Sequence, residues 1–400
     1  AVYITRKWEK AIGRARLNEI LLENGWIPES YIDSDGDTKI ILELAKEIEI
    51  LRAKVKQQQR IKDLLAREQA IKDGILAKLE ELIEGLPPVA TKFPKVSKHK
   101  KVTESAVAVF SCWHIGEVVK PEQVNNINKY DFETFVKRLQ YLIEKIIKFT
   151  TVNMGYHNFD EIHLLFTGDM VSGIIHDELT ETNELTITEQ ATLGAYVTAQ
   201  AIREIAQHYP QVIATCVVGN HGRTNKAKYA KNKQITSWDY IFYNMLRLYL
   251  SKCKNITFLI PDSPAAVINI KGHNFVVFHG DQIKGWSGIP FYGLNRISYR
   301  YLQMGVAKNE FYKYFVTSHY HTKVSIQFAH GEQILNGSIK GTDEYAFNMG
   351  LSGDPYQIVF GVHPKYGKTW ELAINLKYAD EEIKQIRYKW TKEDFKKSII

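Results

Sequence analysis

Five short segments of this chain combine side chains that bind metal ions with small residues that allow tight turns. In chain order they are Cys112-Trp113-His114-Ile115-Gly116, Gly168-Asp169, Gly219-Asn220-His221-Gly222, His279-Gly280-Asp281 and Ser318-His319-Tyr320-His321. Imidazole, thiolate, carboxylate and amide groups are ligands for divalent metals in proteins. Two bound ions can together activate water and stabilise an anionic transition state. The sequence therefore predicts an enzyme of metal-assisted hydrolysis rather than a binding module.

A centre with two ions needs a carboxylate that reaches both of them, several neutral ligands and a neighbouring proton donor. Asp169 is the candidate for the bridging, catalytic carboxylate. His114 and His321 can complete one ion, and the second can be held by Asn220, His279 and His319. His221 follows a predicted ligand directly, so we expect it to act as the catalytic proton donor to the leaving oxygen.

From residue 106 onward, short apolar runs alternate with amphipathic stretches, which is typical of an α/β fold. The pattern predicts strands at 106–110, 161–166, 211–218, 256–260, 266–270 and 275–278, and helices at 130–149, 186–208 and 237–250. The motifs follow the ends of predicted strands, where open α/β sheets place their sites. The glycine-rich residues 337–367 are expected to form loops over the mouth of the site.

The region before residue 105 has a different composition. Residues 38–86 are rich in helix-forming residues, and Leu44, Ile48, Leu51 and Val55 follow a heptad spacing, which predicts a coiled coil or a helical hairpin. We expect a homo-oligomer through these helices; the alternative is one amphipathic helix packed on its own catalytic domain. Residues 1–37 are expected to form a small helical segment, 87–104 a basic linker and 105–400 the catalytic domain.

Size and charge limit the class of protein. The chain has 400 residues, of which 44% are hydrophobic, and no apolar run has the length of a membrane span. Its three cysteines are too scattered for a disulfide framework. We therefore expect a cytoplasmic protein without a membrane partner. A net charge of +7 favours polyanionic partners, though only weakly at this length.

The ordered motifs resemble the calcineurin-like metallophosphoesterase superfamily over residues 106–340. Gly168-Asp169 and Gly219-Asn220-His221 match the family pattern directly, and Ser318-His319-Tyr320-His321 matches with serine in place of a glycine. Leu335-Asn336-Gly337-Ser338 resembles the segment that often follows. The resemblance implies a four-layer αββα sandwich and two divalent ions (manganese, zinc or iron). It also implies hydrolysis of phosphate esters by a metal-bridging hydroxide, with the same residues in the roles assigned above.

One position departs from the family pattern, since Cys112 stands where the first aspartate is usual. A thiolate suits zinc or iron and is a poor ligand for magnesium or manganese. The lariat-debranching branch of the superfamily is similar in carrying a cysteine here, so we expect Cys112 to be a ligand. The alternative is that this metal position is weakened and the protein holds one ion, or none.

The residues between His279 and His319 are rich in aromatic side chains and arginine, which could bind a nucleic-acid strand by stacking and by phosphate contacts. We expect Arg296, Tyr299 and Arg300 to bind substrate there, and Arg223 to meet a phosphate beside the Gly-Asn-His-Gly turn. The predicted function is a nucleic-acid phosphodiesterase, that is, a nuclease. The alternatives are a phosphomonoesterase or cyclic-nucleotide phosphodiesterase, and a catalytically silent scaffold subunit of a nucleic-acid-processing complex.

Overall fold

The computed structural model describes Glu19, Leu22, Glu23 and residues 37–88, 102–225, 233–284 and 288–399. Most of the predicted helical segment at 1–37 and most of the basic linker therefore lie outside the described residues. Helix α1 (Asp37–Leu82) is continuous over 46 residues, as in a coiled coil and unlike a hairpin. Pairing with a second helix stays a prediction. Among the described residues, no helix combines the length and apolar content needed to cross a bilayer.

Eleven strands are described after this helix. They are β1 (Val102–Phe110), β2 (His157–Phe166), β3 (Gln211–Cys216), β4 (Ile256–Leu259), β5 (Ala265–Ile270), β6 (His273–Phe278), β7 (Tyr312–Thr317), β8 (Val324–Phe328), β9 (Gly331–Leu335), β10 (Tyr356–His363) and β11 (Gly367–Asn375). They form one sheet in the order β11-β10-β1-β2-β3-β4 and another in the order β5-β6-β7-β9-β8. The pairs β1-β2, β2-β3 and β3-β4 are parallel, as are β6-β7 and β7-β9, so the ends of these strands meet at one edge of each sheet.

The helices that follow α1 are, in chain order, α2 (Phe132–Lys148), α3 (Asp177–Thr182), α4 (Ile187–Ile205), α5 (Trp238–Tyr249), α6 (Phe291–Val306), α7 (Glu344–Asn348), α8 (Ala379–Glu382) and α9 (Lys392–Ile399). Side-chain caps mark the starts of several of these helices. The Asp131 side chain caps α2, and Thr186 forms a capping box with Glu189 at α4. Ser237 caps α5 by accepting a hydrogen bond from the backbone N–H of Asp239.

Alternate side chains of β1 belong to two different hydrophobic clusters, which define the layers of the core. Ala106, Ala108 and Phe110 face the helical side with residues of α2, α4 and α5. Val107 and Val109 face the second sheet and pack in one cluster with residues of β6 and β7. A third cluster joins the other face of that sheet to α6 through Leu294. Helices, two stacked sheets and a helix are thus the four layers of an αββα sandwich, and the predicted fold class is confirmed.

The strands predicted at 106–110, 161–166, 211–218 and 256–260 are all present, with ends shifted by a few residues. The expectation that 337–367 forms only loops is wrong, because β10 lies in this range and pairs with β1 inside the larger sheet. Packing requires glycine at one position of this strand, because a Cβ on Gly361 would lie 2.0 Å from the Trp370 ring. The compact unit that holds the sandwich begins at Leu79, because Leu79 in the last turn of α1 and Ile83 and Leu86 just after it pack on the core.

Candidate metal centre

The loops that follow β1, β2 and β3 are joined backbone to backbone. The N–H of Cys112 donates to the Gly168 carbonyl at 3.0 Å, and those of Trp113 and His114 donate to the Asp169 carbonyl. The loops of the second sheet join the same edge, because Ser318 Oγ donates to the Thr167 carbonyl at 3.1 Å and His279 Nδ1 lies 2.7 Å from that carbonyl. All five motifs predicted from the sequence therefore lie at strand ends that meet.

The side chains of His279, Asp169 and Asn220 converge at this edge. His279 Nε2 lies 2.9 Å from Asp169 Oδ2 and 3.1 Å from Asn220 Oδ1. The other ring nitrogen, Nδ1, lies 2.7 Å from the Thr167 carbonyl and must donate its proton there. The Nε2 lone pair then faces two oxygen acceptors, an arrangement that is stable only with a cation or a proton between them.

A second group of ligand atoms lies beside the first. His114 Nε2 is 3.1 Å from His321 Nε2, and the ligand atoms of these two histidines and Cys112 all lie within 4.8 Å of one another. Cys112 also forms such a group with Asp169 and His279, as Asp169 does with His114 and His221. His319 stands at the edge of the cluster, with its ring 5.1 Å from that of His279. The structure thus brings the seven predicted ligands together.

Charges in the cluster fit a site for cations. Burial raises the pKa of the Asp169 carboxyl, but the imidazoles of His279 and His221 outweigh burial and hold that pKa well below its usual range. Burial lowers the pKa of His279, yet the Asp169 charge raises it above the ordinary value overall. A proton on His279 Nε2 would balance the Asp169 charge, and a bound cation would supply the same positive charge.

The other histidines are poised to bind metal as neutral rings. Burial and the neighbouring His279 lower the pKa of His319 to about 3, and burial and Lys340 lower the pKa of His321 to about 3. Burial and Lys340 also hold the pKa of His114 well below its usual value. Cys112 differs, because burial and the Asp169 charge raise the pKa of its thiol to about 12, so a metal would have to displace its proton.

His221 has the surroundings of a proton donor. Its backbone N–H donates to Asp169 Oδ1 at 2.7 Å, and its Nδ1 lies 2.8 Å from the Ser172 carbonyl. That carbonyl fixes the tautomer and leaves Nε2 for a reacting oxygen. The ring lies 4.4 Å from that of His114 and 5.8 Å from that of His176, both centroid to centroid.

The predicted substrate-binding residues divide into two places. Arg223 is half-buried just after the Gly-Asn-His-Gly turn, close enough to lower the pKa of His176 together with burial and His221. Arg296, Tyr299 and Arg300 are exposed on α6, whose buried residues pack on the second sheet. Their part in substrate binding stays a prediction.

Sequence reasoning missed several residues that position the ligands. The buried Asp239 carboxylate accepts backbone N–H groups from the loops of Asp169 and Gly219. Lys340, which is buried, contacts Glu117 at 2.8 Å and also Asp343, and Glu117 Oε2 lies 3.7 Å from His114 Nδ1. No short motif marks Asp239, Lys340 or Asp343, because they lie outside the five segments and meet the ligand residues only in the fold.

Comparison of this chain with known proteins finds similarity only among solved structures. No protein-family model and no curated protein matches the sequence. A structure described as a novel archaeal phosphodiesterase is 11% identical, with a TM-score of 0.32, over 67% of this chain and 99% of that one. A hypothetical protein from Pyrococcus horikoshii is 11% identical, with a TM-score of 0.35, over 74% of this chain and 96% of the other. Vacuolar protein sorting 29 from Cryptosporidium parvum is 10% identical, with a TM-score of 0.30, over 68% and 98%.

The sandwich and the strand-end ligands establish the class of fold without these alignments. Two stacked sheets with helices outside, and a cluster of one carboxylate, one amide, one thiol and histidines at their edge, are the architecture that the motifs predicted. The resemblance to calcineurin-like metallophosphoesterases is confirmed at the level of the fold.

Proposed function

We propose that this chain is a two-metal phosphodiesterase that hydrolyses nucleic acid. The convergence of His279 Nε2 on Asp169 and Asn220 carries the proposal, because acceptor atoms 2.9 and 3.1 Å from this nitrogen require a positive charge or a proton between them, and a bound metal ion would supply that charge. Cys112, His114 and His321 are the ligands proposed for one ion, with Asn220, His279 and His319 for the other and Asp169 between them. When bound, such ions supply Lewis acidity that activates water and stabilises negative charge on a phosphate.

The protein's own groups provide the rest of the chemistry. The Thr167 carbonyl orients the His279 ring, and the His221 N–H holds the Asp169 carboxylate. His221 Nε2 is the group proposed to protonate the leaving oxygen, since the Ser172 carbonyl occupies its other nitrogen. Burial of Asp169, His279 and His114, each 1% exposed, excludes water from the ligand cluster and strengthens its electrostatics.

Charge and aromatic surface favour a nucleic-acid substrate. The chain has a net charge of +7, and α6 carries two arginines and no acidic residue. On its exposed face, the Arg296 guanidinium lies 5.8 Å from the centre of the Tyr292 ring, and Tyr299 and Arg300 follow one turn later. Aromatic rings and guanidinium groups bind unpaired bases and phosphates in this combination. Arg223 is the proposed phosphate contact nearest the centre.

Purified full-length protein with added manganese or zinc tests the proposal on single- and double-stranded DNA and RNA. We expect cleavage of at least one of them, loss of metal and activity in Asp169→Asn, and a fall in kcat of roughly 10²- to 10⁴-fold in His221→Ala, the usual contribution of a general acid. His208→Asn is the matched control, because His208 is a half-buried histidine outside the cluster and should leave both properties unchanged.

The rival functions give distinct results in the same assay. Rapid hydrolysis of nitrophenyl phosphate with all nucleic acids left intact would favour a phosphomonoesterase. Near-zero bound metal and no hydrolysis with any divalent ion would favour the scaffold role and contradict the proposed function.

A further inference from the structure

Asp239 is a fully buried carboxylate that belongs to none of the five motifs. It lies in the first turn of α5 and is 0% exposed. Its Oδ2 accepts the backbone N–H groups of Asp169 and Gly219, both at 2.9 Å. Its Oδ1 accepts those of Met170 at 3.0 Å and Val171 at 3.3 Å. One side chain therefore joins the loops after β2 and β3, which carry Asp169 and Asn220.

Four N–H donors require both oxygens of Asp239 to accept, which leaves no place for a proton on the carboxylate. Asp239 and Asp169, 0% and 1% exposed, are thus two buried carboxylates linked through the Asp169 N–H. Cations at the centre are the charges that balance such a pair.

The Gly-Asn-His-Gly turn packs closely against the Asp239 carboxylate. A Cβ on Gly222 would lie 2.7 Å from Ser237 Oγ and 3.1 Å from Asp239 Cγ. The Gly222 carbonyl accepts the N–H of Trp238 at 2.7 Å, which docks the start of α5 against the Gly-Asn-His-Gly turn. Ser237 Oγ caps the helix by accepting a hydrogen bond from the Asp239 N–H. The backbone of Asp239 is therefore held in place as well as its carboxylate.

We propose that Asp239 is a positioning residue that fixes the bridging Asp169 and the Asn220 loop and raises the affinity of the centre for cations by its charge. It touches neither substrate nor metal. Removal should therefore weaken metal binding even though every ligand remains, as loss of an outer hydrogen-bonding partner commonly weakens it by about 10- to 100-fold.

The test compares metal binding in metal-free full-length protein, by competition with a chelator for Mn²⁺ and Zn²⁺. Asp239→Asn keeps the shape but turns an amide N–H₂ towards two backbone N–H groups and removes the charge. Glu104→Gln is the matched control, because Glu104 is 1% exposed and accepts hydrogen bonds from Trp370 Nε1 and Thr369 Oγ1, both at 2.9 Å, near the start of β1. We expect a metal Kd that rises about 10- to 100-fold in Asp239→Asn and changes less than about twofold in Glu104→Gln.

A folded Asp239→Asn protein that binds two ions as tightly as the wild type would overturn the inference and leave the proposed function standing. A wild type that binds no metal would overturn both. Should Asp239→Asn not fold, hydrogen exchange in the wild type decides: the amides of Asp169, Met170 and Gly219 should exchange slowly without metal, and exchange at the rate of exposed loop amides would contradict the inference.

Discussion

The backbone of the ligand residues is held in a conformation that most side chains avoid. Cys112, His114, Asp169, His319 and His321 all have φ between 48° and 74°. Among the described residues, nine non-glycine positions have positive φ, so these predicted ligands make up most of them. Each such residue costs about 1–2 kcal/mol, which the hydrogen bonds of the joined strand ends offset. Strain of this kind clusters at functional sites, in agreement with the proposed centre.

Cys112 gives a prediction about pH. Because the pKa of its thiol is raised to about 12, a metal ion that binds Cys112 releases one proton, and its affinity should rise with pH. His319 and His321, with pKa values of about 3, are already neutral at pH 7 and release none. Between pH 6.5 and 8.5, we expect log Kd for Zn²⁺ to fall with pH more steeply in the wild type than in Cys112→Asp. The difference between the two slopes should correspond to one proton released per ion bound.

Equal pH slopes in the two proteins would mean that the thiol does not ligate. Cys112→Ser supplies the control for loss of the ligand, since it should bind less metal at every pH. If Cys112→Ser kept its full metal content and activity, the thiolate would have no part in the centre.

At the scale of elements, the loops after β2 and β3 pack so closely that only glycine fits between them. A Cβ on Gly219 would lie 2.0 Å from Asp169 Oδ1 and 2.4 Å from the Asp169 nitrogen. We therefore predict that Gly219→Ala displaces the Asp169 carboxylate, with loss of metal and of the proposed phosphodiesterase activity. Metal content and kcat of the purified variant are the measurements.

Gly353→Ala is the matched control, because a Cβ at Gly353 meets nothing within 4 Å and the residue has no positive φ. It should keep its metal and its activity. Full metal content in Gly219→Ala would contradict the close packing of the two loops.

Local patterns are sufficient to predict six of the eleven described strands, β1 to β6, and the segments that carry the candidate ligands. Strand β1 alternates between two cores, and each motif follows a strand, so period and order alone brought the seven ligands to one edge. Asp239 could not be predicted in the same way. Its sequence neighbours predict only a helix start, and its role comes from backbone N–H groups about 20 and 70 residues away that approach it in the fold.

In the glycine-rich segment, the sequence pattern predicts the wrong kind of element. Glycine usually indicates loops, but at Gly361 it makes room for the Trp370 ring inside a sheet. The pattern of β10, which is buried on both faces, has no polar alternation to mark it as a strand. The pattern of residues 337–367 therefore predicts loops, although the segment supplies an inner strand of the larger sheet.

At the scale of the whole molecule, helix α1 carries apolar side chains that the described residues leave exposed. Ile48 is 44% exposed, Leu51 53% and Val55 63%, and all three lie on the heptad seam. A polar helix with one apolar seam is stabilised when it pairs with another helix. The seam thus supports the proposed homo-oligomer, which the sequence alone predicted.

The double variant Leu51→Lys/Val55→Lys tests this assembly. Two buried ammonium groups at seam positions should break the helix pairing, so we expect a monomer by sedimentation or light scattering where the wild type is an oligomer. Ala53→Lys/Gln57→Lys adds the same charges off the seam and should stay oligomeric. Metal content should be equal in all three proteins, because the ligands belong to the sandwich. A monomeric wild type at tens of micromolar, or a seam variant that remains assembled, would contradict the prediction.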